Sequence, residues 1–260
     1  MALRYSTGCR NKMLKYKSFR QVFEDSKLYL YTATQPASAD EAAAGSLIAT
    51  ATKASGAVTG KSTKQVSLTK VTTRGADGDK HTITLDGTAY EYTVVTADTS
   101  DTIAQKLAAL IDESEYVEAM AVGGTTVTES VIAMRSRFGG AAAFVAVASN
   151  TGSAVLSTVE DYVVTSSGNG LKFGNPVGGT ISKDSDVWSG VVTLAGTNTA
   201  GWFRIVEYGG NPAISSTTEA RVDGNIGVGL GDGQVGNASM EYGTTVTVMT
   251  AAFTFPYAAE

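Results

Sequence analysis

Apolar residues near the start of the chain recur at helical spacing and then, within a few positions, begin to alternate. Met13, Tyr16, Phe19 or Arg20, and Phe23 step by three or four, with Ser6 or Thr7 available as N-cap, which predicts one helix of about 15 residues with its cations on the opposite face. Leu28, Leu30 and Thr32 then alternate with Tyr29, Tyr31 and Ala33, the pattern of a strand with aliphatic residues on one face and tyrosines on the other. Pro36 ends it. Ser38 to Ala44 suits a short helical turn, and Ser46 to Thr52 returns to strand character.

Residues 56–63 form a turn-rich connector, after which Val66, Leu68 and Val71 interleave with Gln65, Ser67, Thr69 and Thr72 as a strand. Thr82–Leu85, Asp86-Gly87 and Tyr90–Val95 spell a hairpin, because Asp-Gly supplies the positive backbone angles of a two-residue turn. Asp98 to Ser100 caps the clearest helix, in which Ile103, Leu107, Leu110 and Ile111 make one stripe to bury against a sheet. Four further strands are expected at Val117–Val122, Thr125–Val127, Val131–Met134 and Ala141–Ala148. Residues 64–165 thus read as an α+β module of ordinary domain size.

From Ser166 onward the pattern is β with heavy glycine punctuation. Val187–Leu194, Gly201–Tyr208, Glu219–Asp223 and Thr244–Phe255 are the expected strands, with Trp188 and Trp202 as core anchors. Short strands at this spacing suit a sandwich or jelly roll. The expected fold is therefore mainly β: a β-sandwich or jelly-roll-like body with an N-terminal helix, built from residues 1–63 and 166–260 and interrupted by the small α+β domain at 64–165.

Composition changes the picture mainly by subtraction. One histidine, His81, and one cysteine, Cys9, in 260 residues remove most acid-base, thiol and metal-ligand sets. Cys9 has no partner for an internal disulfide and is expected as a small buried hydrophobe. No apolar run approaches the ~20 residues of a membrane span, and the N-terminus does not read as a signal peptide. Charge is uneven: residues 1–27 sum to +5 and the remainder to −10. A basic arm precedes an acidic body: the arm suits an ordinary solvated helix face or a helix that docks on an acidic partner, while the body would repel nucleic acid. Arg4, Arg10, Lys12, Lys15, Lys17 and Arg20 are the candidate assembly-interface residues.

Three segments imitate ligand motifs. Gly56 to Ser62 resembles a phosphate-binding loop but is one residue short and leads into a strand pattern, not a helix. Gly231-Asp-Gly233-Gln-Val-Gly236 satisfies a dinucleotide fingerprint, which has physical meaning only between a strand and a helix; here a strand pattern follows. Asp184 and Asp186 form a pair that lacks the remaining ligands of a calcium loop. No catalytic residue, cofactor or metal is expected.

Both ends of the chain carry a resemblance. Leu3-Arg-Tyr-Ser-Thr-Gly8, Arg10-Asn11, Phe23, Leu28-Tyr-Leu-Tyr31 and Gln35-Pro-Ala-Ser-Ala-Asp40 resemble the opening of a family of tailed-bacteriophage virion structural proteins. Gly170-Leu-Lys-Phe173 to Gly179, Trp188-Ser-Gly190 and Gly201-Trp-Phe-Arg204 are similar to that family's continuation. The chain departs from the family by carrying the module at 64–165, whose Gly78 to Ala109 stretch resembles accessory modules of phage and bacterial surface proteins.

The resemblance implies a multi-copy virion component that is not an enzyme, made in the host cytoplasm; it leaves the position on the particle open, and a neck or collar element or a head decoration fits the combined reading best. Its expected partners are other virion proteins of the neck, capsid or tail, and further copies of itself, with no membrane and no nucleic acid. A tail or tail-fibre-attachment component is the near alternative. A carbohydrate-binding module, with Tyr90 and Tyr92 as candidate stacking rings, is the distant one.

Overall fold

A computed structural model describes residues 3–15, 17–62, 64–123, 130–137, 144–162 and 168–255. The first stretch holds β1 (Arg4–Tyr5), α1 (Thr7–Lys15), α2 (Phe19–Val22), β2 (Lys27–Tyr31) and β3 (Leu47–Lys53). The middle holds β4 (Val66–Thr73), β5 (Lys80–Leu85), β6 (Thr88–Thr93), α3 (Ser100–Asp112), β7 (Val117–Gly123), β8 (Ser130–Ser136), β9 (Ala146–Asn150), β10 (Val155–Leu156) and β11 (Glu160–Tyr162). The last holds β12 (Thr180–Ser182), β13 (Trp188–Val191), β14 (Thr197–Thr199), β15 (Trp202–Val206), β16 (Arg221–Gly227), β17 (Gly233–Val235), β18 (Ser239–Glu241) and β19 (Thr245–Thr254). The fold is mainly β, and the chain divides into two compact units, 1–61 with 168–260, and 62–167.

In the body the strands run β16-β15-β2-β3-β13-β19, and β17 pairs with both β19 and β16, so seven strands close into a ring. All the pairings are antiparallel except β16 with β17. Closure removes the open edges of the sheet, and opposite walls face each other across one core as the layers of a sandwich do. Leu28, Leu30, Phe203, Ile205, Val222, Trp188, Val248 and Phe253 fill that core. Alternation within β2 and β15 sets this: Leu28, Leu30, Phe203 and Ile205 point in, and Tyr29, Tyr31, Trp202 and Arg204 take the other face.

The single helix expected after Ser6 or Thr7, with its stripe from Met13 to Phe23, is two helices. The helical phase breaks after Lys15, and α2 starts afresh from Ser18, whose hydroxyl accepts from the Gln21 amide while the Gln21 side chain accepts from the Ser18 amide. The break lets Phe19 turn into an aromatic cluster with Phe23, Phe173 and Phe253 while Cys9 and Met13 pack from α1. Tyr16 of the expected stripe lies outside the described residues, as do Thr125–Val127 and residues 141–143 of two expected strands. Ser38 to Ala44 forms bends and turns and no helix. Trp202 is fully buried but on the outer face of the ring, where it stacks on Tyr31 at 4.7 Å and its indole N–H donates to the Thr32 and Ala44 carbonyls.

In the middle unit β10-β4-β8-β7, with β11 beside β4, make one sheet, and β6-β5-β9 another. Helix α3 starts at the N-cap Thr99 and buries Ile103, Ala104, Leu107, Ala108 and Ile111 against Val71, Ile83, Ile132 and Met134. Asp86 (φ 47°) and Gly87 (φ 88°) make the β5–β6 turn with both central residues left-handed. Gln65 ties the two sheets together: its amide nitrogen donates to the Phe144 carbonyl at 2.8 Å, and its oxygen accepts from the Phe144 amide.

Candidate functional site

The candidate cations separate into two groups. Lys12 is spent on an ion pair with Glu207, and the Arg20 guanidinium donates to Asn175. Arg10 is exposed and makes one long contact to the Thr7 hydroxyl, 3.4 Å. Lys17 is half-buried, with its amide donating to the Lys12 carbonyl. Lys15 is exposed at the end of α1. Arg4, half-buried on β1, pairs through its backbone with Asp223 of β16; its guanidinium makes no hydrogen bond or ion pair among the described residues and favours the ionised Asp223 carboxylate through its charge. Five residues put about 140° of helix rotation between Arg10 and Lys15, so the arm does not present one continuous cationic face.

What the structure brings together is Arg4 and Arg10. They line an open cleft of about 320 Å³ together with Leu3, Tyr5 and the turn at residues 37–39. Two guanidiniums at one cleft suit a carboxylate, which can accept a bidentate pair of hydrogen bonds.

On β15 and β16, next to β1, is a buried arginine layer that the sequence pattern does not reveal. On the outer face of the ring Arg204, Arg221 and Asp223 are all fully buried. Arg204 Nε and Nη2 donate to the two Asp223 carboxylate oxygens at 2.7 Å each, and its Nη1 donates to the Glu41 and Pro212 carbonyls. Arg221 donates to the Asn211 and Ile214 carbonyls and to Glu219. Burial works to raise Glu219, but the Arg221 hydrogen bond and the Asn211 amide outweigh it and hold the carboxyl below its usual range.

These contacts clip the loops at 32–46 and 207–220 over the sheet. Asp40, from the first loop, accepts from the Thr7 amide and hydroxyl at the N-terminus of α1, and its carbonyl accepts from the Ser216 amide of the second. Ser6 accepts from the Cys9 and Arg221 amides and donates to the Glu219 carbonyl. The arginines therefore position the arm that carries Arg4 and Arg10. Alternation in β15 and β16 places Arg204 and Asp223 on outer positions, but their pairing depends on the β15–β16 register, Arg204 opposite Asp223, which no local pattern encodes.

The remaining candidates are structural in their surroundings. Gly56 to Ser62 leads into β4, and Gly231 to Gly236 runs into β17. The second motif makes a tight parallel return from β16, with Gly231 at φ 112° and Asn225 and Asp232 exchanging side-chain-to-amide hydrogen bonds. At Asp184 and Asp186 a lysine ammonium fills the loop: Lys183 donates to the carbonyls of both, and Lys53 pairs with the Asp186 carboxylate at 2.8 Å. Burial, then the charge of Asp186, raises the Asp184 carboxyl.

Burial, reinforced by Glu207, pushes the Cys9 thiol up to about 12, far from the thiolate form a nucleophile needs. His81 is fully buried with Nε2 against the Arg74 carbonyl. Tyr90 and Tyr92 pack against the core of the middle unit, and the Tyr92 hydroxyl donates to Asp98. A cavity of about 430 Å³ between β18 and β19 has Glu241 as its one ionisable lining group, short of the pair that acid-base chemistry uses. Among the described residues no group of three His, Cys, Asp or Glu side chains could hold a metal ion, and no helix is long and apolar enough to cross a membrane. A scan against protein-family models finds no match to this chain, and a search of curated proteins finds none.

Proposed function

We propose that this chain is a structural component of a tailed-bacteriophage particle, acting in many copies through protein–protein contacts at the neck or collar, or as a head decoration. The observation that carries the reading is how the charged groups are used. The Arg204, Arg221, Asp223 and Glu219 network fixes loops, whereas Arg4 and Arg10 remain at an open cleft on a chain that carries −10 after residue 27. A cationic cleft and an acidic body are complementary between neighbours, so acidic segments of virion proteins, including further copies, are the partners that suit it. Many weak contacts of this kind add up in an assembly.

The resemblance of the two ends of the chain to tailed-phage virion proteins supports the same reading, with synthesis in the host cytoplasm before assembly. Tyr90 and Tyr92 turn toward the core of their unit, which gives a carbohydrate-binding alternative no exposed ring pair at those positions. The test is to image particles carrying a tagged copy of the chain. Density at neck or capsid supports the proposal, density at the tail moves the chain to the tail-attachment alternative, and particles that never contain it refute the virion reading.

A further inference from the structure

The β10-β4-β8-β7 sheet of the middle unit has one face on α3 and, among the described residues, an apolar opposite face that is only partly covered. On the α3 side Val71, Ile132, Met134, Ala119 and Ala121 join the core. Cross-strand register sets the other side: Met120 stands opposite Ala133 and Ala133 opposite Leu68, and Val122 stands opposite Val131. With Val66 these make six apolar side chains on one face, and none of them belongs to the core. Met120 is 62% exposed and Val122 47%. A two-layer unit needs only one face of its sheet to fold, so an apolar second face points to contact with something else.

We infer that this face is a self-association surface, and that its occupant is the same face of a second copy of the chain. Two features select a second copy. The charges around the patch are Glu118 and Glu160 against Lys70 and Arg135, two of each sign, so a uniformly acidic or basic partner meets as much repulsion as attraction there. An identical rim offers both signs in return. The relief is also self-complementary: Ala133 is a shallow position between Met120 and Leu68, and a methionine of one copy fits the alanine hollow of the other.

Three strands spaced by ~4.8 Å and seven residues rising ~3.3 Å each give a face of roughly 300 Å² per copy. That falls well short of the ~800 Å² per partner of a standard stable interface. The dimer is therefore weak and forms at high concentration, or where other contacts already hold copies side by side. The inference goes beyond the virion reading and does not depend on it, because purified chain has the same face.

Sedimentation of the purified full chain over a range of concentrations, with the variants Met120→Lys, Val122→Lys and Leu14→Lys, tests it. Leu14 is 86% exposed on α1 in the body and serves as the apolar control. The expected result is a reversible monomer–dimer equilibrium that Met120→Lys and Val122→Lys abolish and Leu14→Lys leaves unchanged. In parallel, a Met120→Cys chain treated with a short bis-maleimide should yield a cross-linked dimer where Leu14→Cys does not, since the native Cys9 is fully buried. A chain that stays monomeric up to about 1 mM overturns the inference, as does association that survives both lysine variants or a Met120→Cys chain that fails to cross-link. Particle imaging is independent of each of these readouts, so failure here leaves the proposed function standing.

Discussion

The carbonyl oxygen of Gly60 lies 2.3 Å from where a Cβ on Gly168 would stand. The body chain thus leaves its ring and returns to it at a single point, with Asn169 Nδ2 donating to the Ala57 carbonyl to hold the junction. Replacing residues 62–167 by a short Gly-Ser linker closes a small loop without moving either end, and loop-closure entropy changes only slowly with length. The shortened chain should keep a cooperative unfolding transition. Trp188 and Trp202, the two tryptophans of the chain, both lie in the body, so their fluorescence in a urea titration reads that unit alone. Loss of the transition would show that the body needs residues 62–167 to fold.

Breaking the Arg204–Asp223 pair should be among the most damaging single changes to the body. Asp223→Ala leaves a fully buried guanidinium without its carboxylate, an effect of about 3–5 kcal/mol. The double variant Arg204→Met with Asp223→Leu removes both charges and should recover much of that loss, although the Glu41 and Pro212 carbonyls lose their donor. Urea titrations of the two variants, followed by tryptophan fluorescence, give the comparison.

Asp184 should make stability depend on pH in the opposite sense from an ordinary paired carboxylate. Burial and then Asp186 raise its folded-state pKa above the unfolded value of about 3.9. The folded state therefore holds the proton more tightly, and stability is highest below the unfolded value and falls as pH rises through the window up to the folded value. Asp184→Asn keeps an oxygen to accept from the Asp186 amide and removes the repulsion. It should raise the melting temperature at about pH 7 and leave it nearly unchanged at about pH 3.

Gly87→Ala should weaken the middle unit by about 1–2 kcal/mol, because the residue sits at φ 88° with nothing within 4 Å of the new Cβ, so backbone strain is the whole effect. Asn, which tolerates the left-handed region, should recover part of it. Gly201→Ala belongs to another regime: its Cβ would lie 1.9 Å from the Ala33 carbonyl oxygen. That variant should fail to form the ring. Hydrogen exchange separates the two, with Gly87→Ala raising exchange in β5 and β6 and Gly201→Ala raising it in β2 and β15.

Charge removal at the cleft, Arg4→Gln with Arg10→Gln, should leave the melting temperature within a few degrees of wild type, since neither guanidinium holds a loop and Arg4 is the weakest of the charges acting on Asp223. On the virion proposal, the same variant should lose most of its incorporation into particles. Lys12→Glu is the contrast: it opposes Glu207 and should lower stability as well. Quantifying the chain in purified particles against its melting temperature separates an interface effect from a folding effect.

Local pattern carried the elements with their own signature. The Asp86-Gly87 turn and the alternation of Leu28 and Leu30 with Tyr29 and Tyr31 appear where periodicity puts them, and so does the α3 stripe at Ile103, Leu107 and Ile111, although Leu110 stays half-buried outside the core and Ala104 and Ala108 are buried instead. Elements of two or three residues, such as β1, β10, β14 and β17, were invisible because they exist only through partners distant in sequence. The break between α1 and α2 escaped for a related reason: tertiary demand for Phe19 in the aromatic cluster overrides a stripe that reads as continuous. The Arg4–Arg10 cleft was half legible. Composition named the cations, but only the Asp40 clip and the Ser6 hydrogen bonds decide which of them end up side by side.

The return of β17 to β16 has a consequence for how the body evolves. A ring whose main chain is saturated by its own strands has little backbone to lend a neighbour; among the described residues of the body, open strand edges are left to the short β1 and β12 and to the β14–β18 pair. What the ring itself recognises, it recognises through loop shape and side chains. Specificity can then drift by substitution at the rim while the hydrogen-bonded frame stays as it is, which is a useful property in a scaffold that has to follow changing neighbours.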